Sequence, residues 1–308
     1  MKKFTCLLTL LFLLVPFSQS IADKGLQLNK VAENVYAIVG ELGNRTSENL
    51  GNNATFGLVI TTEGVVLIDS GGTYKGAEDI HQLIKSLTDK PITTVINTGG
   101  QDHRWLGNGY FKEQGAALIA SKKAVEDQKA RTQDQFIMLG NLVGDEGLKG
   151  TDPVYAEQTF DDKLEFELGG VKFEIFHSGQ AHTPGDSFVW LPQQNVMFTG
   201  DIVYTQRMLG IGSQSNSKSW INVYKSMAAY KPEHIVPGHG QATDMATANA
   251  DTYDYLVFLR ASVSAFIENG GDIIDIGNVD QSKFSRLLNH ETLAGRNAQQ
   301  VFTELEWE

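Results

Sequence analysis

The chain has 308 residues, 25 Lys+Arg against 37 Asp+Glu, a formal charge of −12 at pH 7, and one cysteine. The acidic balance favours solubility and argues against nucleic acid as a partner, because phosphate binding draws on clustered Lys and Arg. A lone cysteine excludes an intrachain disulfide and any multi-thiolate metal site.

The first residues read as an address. Met1 to Lys3 is basic, Phe4 to Phe17 is apolar, and Ser18 to Ala22 is small and polar, which is the pattern of a secretory signal cleaved after Ala22. Fourteen apolar residues fall short of the roughly 20 that span a bilayer. The expectation is a product that is periplasmic or secreted, with no stable membrane anchor. Cys6 leaves with the leader. From residue 23 to 308 the chain is long enough for one large α/β domain with a buried core.

Asn34 to Gly40, Thr55 to Thr61 and Gly64 to Ser70 are rich in Val, Ile and aromatics and are bounded by turn residues, so they predict strands. Between the first two lies Glu41 to Ala54, a polar aperiodic loop long enough to be a binding loop or a mobile connection. Ala77, Ile80, Leu83, Ile84 and Leu87 recur at helical spacing. A strand at Ile92 to Asn97 then runs into the polar loop TGGQDHRWLGN, Thr98 to Asn108. Ala116 to Ser121 predicts another strand, and Lys122 to Leu142 a charged, solvated helix.

The second half repeats this order. Thr159 to Gly179 predicts a hairpin turning at Gly169-Gly170, and Ser187 to Pro192 pairs with Asn195 to Asp201. A helix from Trp220 to Tyr230, a short strand HIVPG and a long helical run over Thr243 to Asn269 follow. C-terminal to it, Phe302 to Glu308 is equally consistent with capping the domain or joining subunits. Two strand-then-helix halves predict a four-layer αββα sandwich, with the helical extension starting at about residue 243.

His103, His182, Asp201 and His239 each stand where an apolar run gives way to a turn. A rigid strand end fixes the direction of such a residue, and imidazole plus carboxylate is a zinc-type donor set. Taken singly, each is as consistent with a hydrogen-bonded structural residue. Their contexts HTPGDS, TGD and VPGHG share Gly and Pro at the turn, where close backbone approach is needed.

LIDSGG (Leu67 to Gly72), the Thr98 loop with its preceding strand, SGQAHTPGDSFVWLP, MFTGD and IVPGHG stand in the order found in metallo-β-lactamase-fold hydrolases, and the chain resembles that superfamily over Asn34 to Gly240. The resemblance implies the αββα fold with metal at one edge. It implies His182 as the third histidine of a first metal site, Asp201 as the bridging carboxylate and His239 as completing the second site. It implies Asp69, with Asn97, as support without ligation.

The central loop departs from the superfamily's N-T-H-x-H-x-D-H pattern. Aligned without gaps, Gly99 and Gln101 stand where two histidines belong, with His103 and Arg104 in place of Asp and His. A one-residue shift instead matches Asp102-His103 to the Asp-His pair, making Asp102 a metal ligand. Both registers are open at this point, and either leaves at most a single-metal site.

The expectation is an exported hydrolase acting on a small molecule, with one zinc, or iron, activating water. Asp102 would act as base or orienting group and Arg104 as the charge stabiliser. Arg207 and Trp105 would contact substrate. The alternative is a non-catalytic binding protein that uses the degenerate cleft. Substrate and oligomeric state are not legible.

Overall fold

The computed structural model describes residues 25–308; the leader expected over Met1 to Ala22, with Cys6, lies outside the described residues. Two sheets pack face to face with helices on both outer surfaces. The first sheet contains seven strands in sequence order. These are β1 (Gln27–Ala32), β2 (Val35–Val39), β3 (Thr55–Ile60), β4 (Val65–Ile68), β5 (Ile92–Asn97), β6 (Ala117–Ser121) and β7 (Gln158–Phe160). It is antiparallel through β4 and parallel from β4 to β7. The second sheet contains β8 (Lys163–Leu168), β9 (Val171–Phe176), β10 (Phe188–Leu191), β11 (Val196–Phe198) and β12 (His234–Val236). Its order is β12-β11-β10-β9-β8, and only β11 and β12 run parallel.

The period-two alternation of the strands sorts the core into layers. Val66 and Ile68 of β4, Val189 and Leu191 of β10, and Val196 and Phe198 of β11 meet between the sheets. Their neighbours Val65 and Leu67 face outward to Ala77, Ile80 and Ile84 of α1 (Tyr74–Lys85). On the far side, Phe188, Trp190 and Met197 face α5 (Ser217–Ala228) and α7 (Asp254–Glu268). Between α1 and α5 lie α2 (Asp102–Trp105), α3 (Asn108–Glu113) and α4 (Lys122–Leu148).

Two helices differ from the sequence reading. The charged helix continues to Leu148, with Gly144 at φ 74° interrupting its helical geometry. The run expected over Thr243 to Asn269 is broken into α6 (Met245–Ala248), a wide π turn at Asn249–Tyr253 and α7. The break has a partner: Thr252 Oγ1 donates to Tyr204 O (2.6 Å) and accepts from Tyr204 N (2.9 Å), and Asp251 Oδ2 accepts from Gln206 N (2.8 Å). Side chains of the wide turn therefore hold the segment that follows Asp201, as inserted turns at sites often do. In the tail, α8 (His290–Glu306) buries Ala298, Val301 and Phe302 against the α5 and α7 layer, so it caps the sandwich. Asn297 fixes it by accepting from Ile211 N (2.8 Å) and donating to Leu209 O (2.8 Å).

At one edge the sheets are stitched directly. Thr55 N donates to Gly238 O (2.8 Å) and Thr55 Oγ1 to Gly240 O (2.7 Å). The C-terminal ends of β4, β5, β11 and β12 deliver Asp69, the Thr98 loop, Asp201 and His239 to this edge.

Candidate metal centre

Asp201 sits in the turn after β11, fully buried, and every candidate group is measured against it. His103 Nε2 lies 3.2 Å from its Oδ2 and His239 Nε2 lies 3.3 Å from its Oδ1. One donor atom from each of these three residues falls within a 4.8 Å span, a grouping that fits a single cation. Two imidazoles and a carboxylate is a donor set typical of zinc sites that leave a coordination position open.

The ring nitrogens facing away from Asp201 determine what the inner ones present. His239 Nδ1 lies 2.8 Å from Asn53 O, and a carbonyl only accepts, so Nδ1 carries the hydrogen. Burial, with the Arg207 charge added, pushes the His239 pKa well below its usual value, and the ring is neutral. Its Nε2 therefore turns a bare lone pair toward a carboxylate oxygen. His103 Nδ1 is contacted by Arg45 Nη2 at 2.8 Å and by Asp102 Oδ1 at 3.2 Å.

Arg104 completes the first layer around Asp201. Its Nε donates to Asp201 Oδ2 (3.1 Å) and its Nη2 to Oδ1 (2.7 Å), the forked pairing that guanidinium geometry allows. Nη1 reaches Asp69 Oδ2 (2.9 Å) and Thr55 O (3.1 Å), and Nη2 also reaches Gly238 O (2.9 Å). Burial alone would raise the Asp201 carboxyl, but Arg104 and His103 outweigh it and hold the group ionised well below the ordinary range. For Asp69 burial wins over Arg104, and the carboxyl is raised. Thr98 N and Oγ1 also donate to Asp69, which ties the loop to the end of β4. Asn97 and Asn108 pair through their amides, and Asn97 also holds Arg104 O (2.8 Å).

His103 and Arg104 both reach Asp201; either register puts His103 here, and the gap-free one allows Arg104 to pair with this carboxylate. Asp102 is a correction: expected as ligand or base, it stands outside the three-ligand group and faces Arg45 Nη2 at 2.5 Å. Burial would raise its carboxyl, yet Arg45 and His103 more than offset this and lower it. Arg104 is a second correction, because its guanidinium is 0 % exposed and committed to Asp69 and Asp201 instead of facing a substrate. Trp105 is a third: it is fully buried, donates to Gln135 Oε1 (3.0 Å) and stacks on Tyr155, away from the cleft. His182 lies nearby but outside the three-ligand group, with Nδ1 3.0 Å from Gly210 O and its ring against Tyr204 and Trp220. Burial lowers its pKa to about 4. Tyr204 also stacks on His239, at 4.6 Å between ring centres.

The place of the absent histidine at 99 is filled, and so is the space beside the neighbouring Gly100. A Cβ on Gly99 would stand 2.5 Å from Asp186 Oδ1, and one on Gly100 would lie inside the Asp127 carboxylate. Bare backbone there lets Gln128 Nε2 reach Gly99 O (3.0 Å) and Gln135 Nε2 reach Gly100 O (2.8 Å). Gln101 is buried and its Oε1 has no partner. Sequence reasoning missed Arg45, Asp127 and Asp186. Two adjacent glycines in a loop hinted at close neighbours, and Arg45 is the only basic residue of the Glu41 to Ala54 loop.

This edge, the two layers of strands behind it and the ordered turns that feed it define a metallo-hydrolase fold, and the chain belongs to the metallo-β-lactamase superfamily, whose family model matches residues 51–239. A type 2 metallo-β-lactamase of Bacillus cereus is 29% identical over 225 residues, covering 71% of this chain and 77% of the relative. One from Bacillus sp. (strain 170) is 28% identical over 223 residues, covering 71% and 76%. Among solved structures, a stereoselective inverting sec-alkylsulfatase from Pseudomonas sp. shares the fold with a TM-score of 0.70 at 16% identity, over 90% of this chain and 50% of that one.

Proposed function

We propose that the protein is a metal-dependent hydrolase of small molecules that holds one divalent ion between His103, Asp201 and His239. The observation that carries the reading is the bare His239 Nε2 facing Asp201 Oδ1 at 3.3 Å. Two acceptors turned toward each other are repulsive unless a cation lies between them. A carboxylate offers about four lone-pair sites, so Asp201 retains capacity beyond the two Arg104 bonds. Zinc suits this set best, with iron as the alternative.

Such an ion supplies electrophilic polarisation and acidified water when bound. The chain's own residues do the rest. Asn53 O fixes the His239 tautomer, and Asp102 Oδ1 (3.2 Å) and Arg45 Nη2 (2.8 Å) flank His103 Nδ1 and orient that ring. Arg104 keeps Asp201 ionised and in place. The leader-like start supports export, and among the described residues no helix is long and apolar enough to cross a membrane.

The degenerate first site supports a second reading, a binding protein without turnover. Metal analysis of the purified mature protein separates the two. About one equivalent of zinc or iron, lost in His239→Ala, together with turnover of any ester, thioester, lactam or sulfate ester, is the expected result. A protein that stays metal-free and keeps its stability in chelator would leave only the binding reading.

A further inference from the structure

The two candidate ligand histidines differ in what meets their outer nitrogens. His239 Nδ1 meets an acceptor, Asn53 O at 2.8 Å, whereas His103 Nδ1 meets a donor, Arg45 Nη2 at 2.8 Å. A guanidinium has only N–H groups and accepts nothing. His103 Nδ1 is therefore the acceptor, and the ring's single hydrogen lies on Nε2, where it donates to Asp201 Oδ2 (3.2 Å). Asp102 Oδ1 lies 3.2 Å from Nδ1, but the same Arg45 nitrogen also donates to it (2.5 Å) and so sits closer to each acceptor than they sit to one another. Arg207 stands near His239 in a similar way, yet its Nη1 donates to Gly43 O (3.1 Å) and stays 3.5 Å from Nδ1, which leaves that nitrogen to Asn53 O.

Arg45 is aimed firmly but bonded sparingly. The buried Asn49 side chain accepts from Thr46 N (2.9 Å) and donates to Asn44 O (3.0 Å), so it holds the residues on both sides of Arg45. Yet one nitrogen of the Arg45 guanidinium makes both of its bonds, and the buried Nε has no partner. Arg104, by contrast, makes five bonds from three nitrogens. Asp102 Oδ2 is also buried without a partner, so that carboxylate has room for a further donor.

A metal ligand offers a lone pair, and which imidazole nitrogen has one is set by the hydrogen bond the other makes. His103 Nε2 has none to give while Arg45 donates to Nδ1. We infer that Arg45 is the positioning residue that sets the His103 tautomer, holding this ligand closed to a metal, and that metal loading passes Nδ1 from Arg45 to Asp102. The hydrogen on Nε2 is lost and one is gained on Nδ1, with no net change in protonation. The new N–H donates to Asp102 Oδ1, and Arg45 moves off Nδ1 onto the Asp102 carboxylate alone. His239, with its hydrogen already on Nδ1, needs no such change. The statement about loading rests on the metal-dependent reading; the statement about the metal-free ring does not.

Nitrogen NMR of the histidine rings in the mature protein reads the tautomers directly, with His103→Gln assigning the signals. In chelator, wild-type His103 should carry its hydrogen on Nε2, while His239 carries it on Nδ1 and serves as internal reference. Arg45→Met in chelator should move the His103 hydrogen to Nδ1. Zinc added to wild type should give the same Nδ1-protonated ring with Nε2 bound. Against a competing chelator dye, Arg45→Met should take up zinc at least about fivefold more tightly, the ratio that one hydrogen bond of ordinary net strength corresponds to. An Nδ1-protonated His103 in metal-free wild type, or an unchanged tautomer in Arg45→Met, overturns the assignment. Zinc uptake that leaves Nε2 protonated, or that is weakened in Arg45→Met, overturns the exchange of partners on loading. If neither protein takes up zinc, the metal reading fails, and the chelator spectra still decide the role of Arg45.

Discussion

Replacing Arg104 by methionine tests the interior of the site most directly, because an unbranched apolar stem is kept while the charge and every polar contact are removed. The guanidinium makes five hydrogen bonds, to both oxygens of Asp201, to Asp69 Oδ2 and to the carbonyls of Thr55 and Gly238. Both carboxylates are about 1% exposed and have no other arginine or lysine paired with them among the described residues. Breaking a buried pair by removing one partner typically costs about 3–5 kcal/mol, a large share of the roughly 5–15 kcal/mol that holds a domain folded. Urea unfolding in chelator, followed by tryptophan fluorescence at pH 7.5, should show a loss in that range. Adding Asp69→Asn to the variant should return part of it, since the carboxylate already strained by burial is neutralised. Zinc should then stabilise Arg104→Met more than wild type, because a fixed unit charge at about 4 Å opposes a cation by roughly 4 kcal/mol for each unit of ionic charge at an effective dielectric of 20, and zinc carries two. A loss below about 1 kcal/mol, or equal zinc shifts in both proteins, would refute this account of Arg104.

Two further expectations follow from the same centre. His182 has its pKa lowered by burial from 6.5 to about 4, so the unfolded chain binds its proton first. The stability contributed by the neutral ring is full above about pH 6.5 and is lost as pH falls toward 4, by at most about 3 kcal/mol. His182→Gln should flatten urea midpoints between pH 7.5 and 4.5, and an unchanged slope would count against the buried neutral ring. Asp102→Asn removes the carboxylate facing His103 Nδ1 at 3.2 Å. Zinc affinity measured against a competing chelator dye should fall about 10- to 100-fold, and a change within about twofold would mean Asp102 does not orient the ring.

The fold was legible because it rests on periods the sequence displays. Val65 to Ile68 alternates between the inner and outer layers, and Ala77, Ile80 and Ile84 form the buried stripe of α1. Asp201 and His239 were legible because each stands in a glycine-bearing turn just after a short strand, and His103 because it lies in the glycine-bearing loop that follows β5. Roles inside the Thr98 loop were not. Asp102, His103, Arg104 and Trp105 occupy one short helical turn, and their directions diverge within it. Which of them faces Asp201 depends on Asp69, Asn97 and Gln135, partners from distant segments that no local pattern reports. Arg45 escaped notice for the related reason that Glu41 to Ala54 has no periodicity to read.

The packing around Gly99 and Gly100 bears on anyone who would rebuild a two-ion centre here. Installing histidines at 99 and 101 is not a two-letter edit, since the Asp186 carboxylate already stands in the volume a side chain at 99 would need. Asp186 in turn is braced by Thr183, whose hydroxyl also accepts from Gly100 N (3.2 Å). The loop, the Thr183–Asp186 turn and the face of α4 would have to be redesigned together, so a histidine at 99 cannot be added by itself.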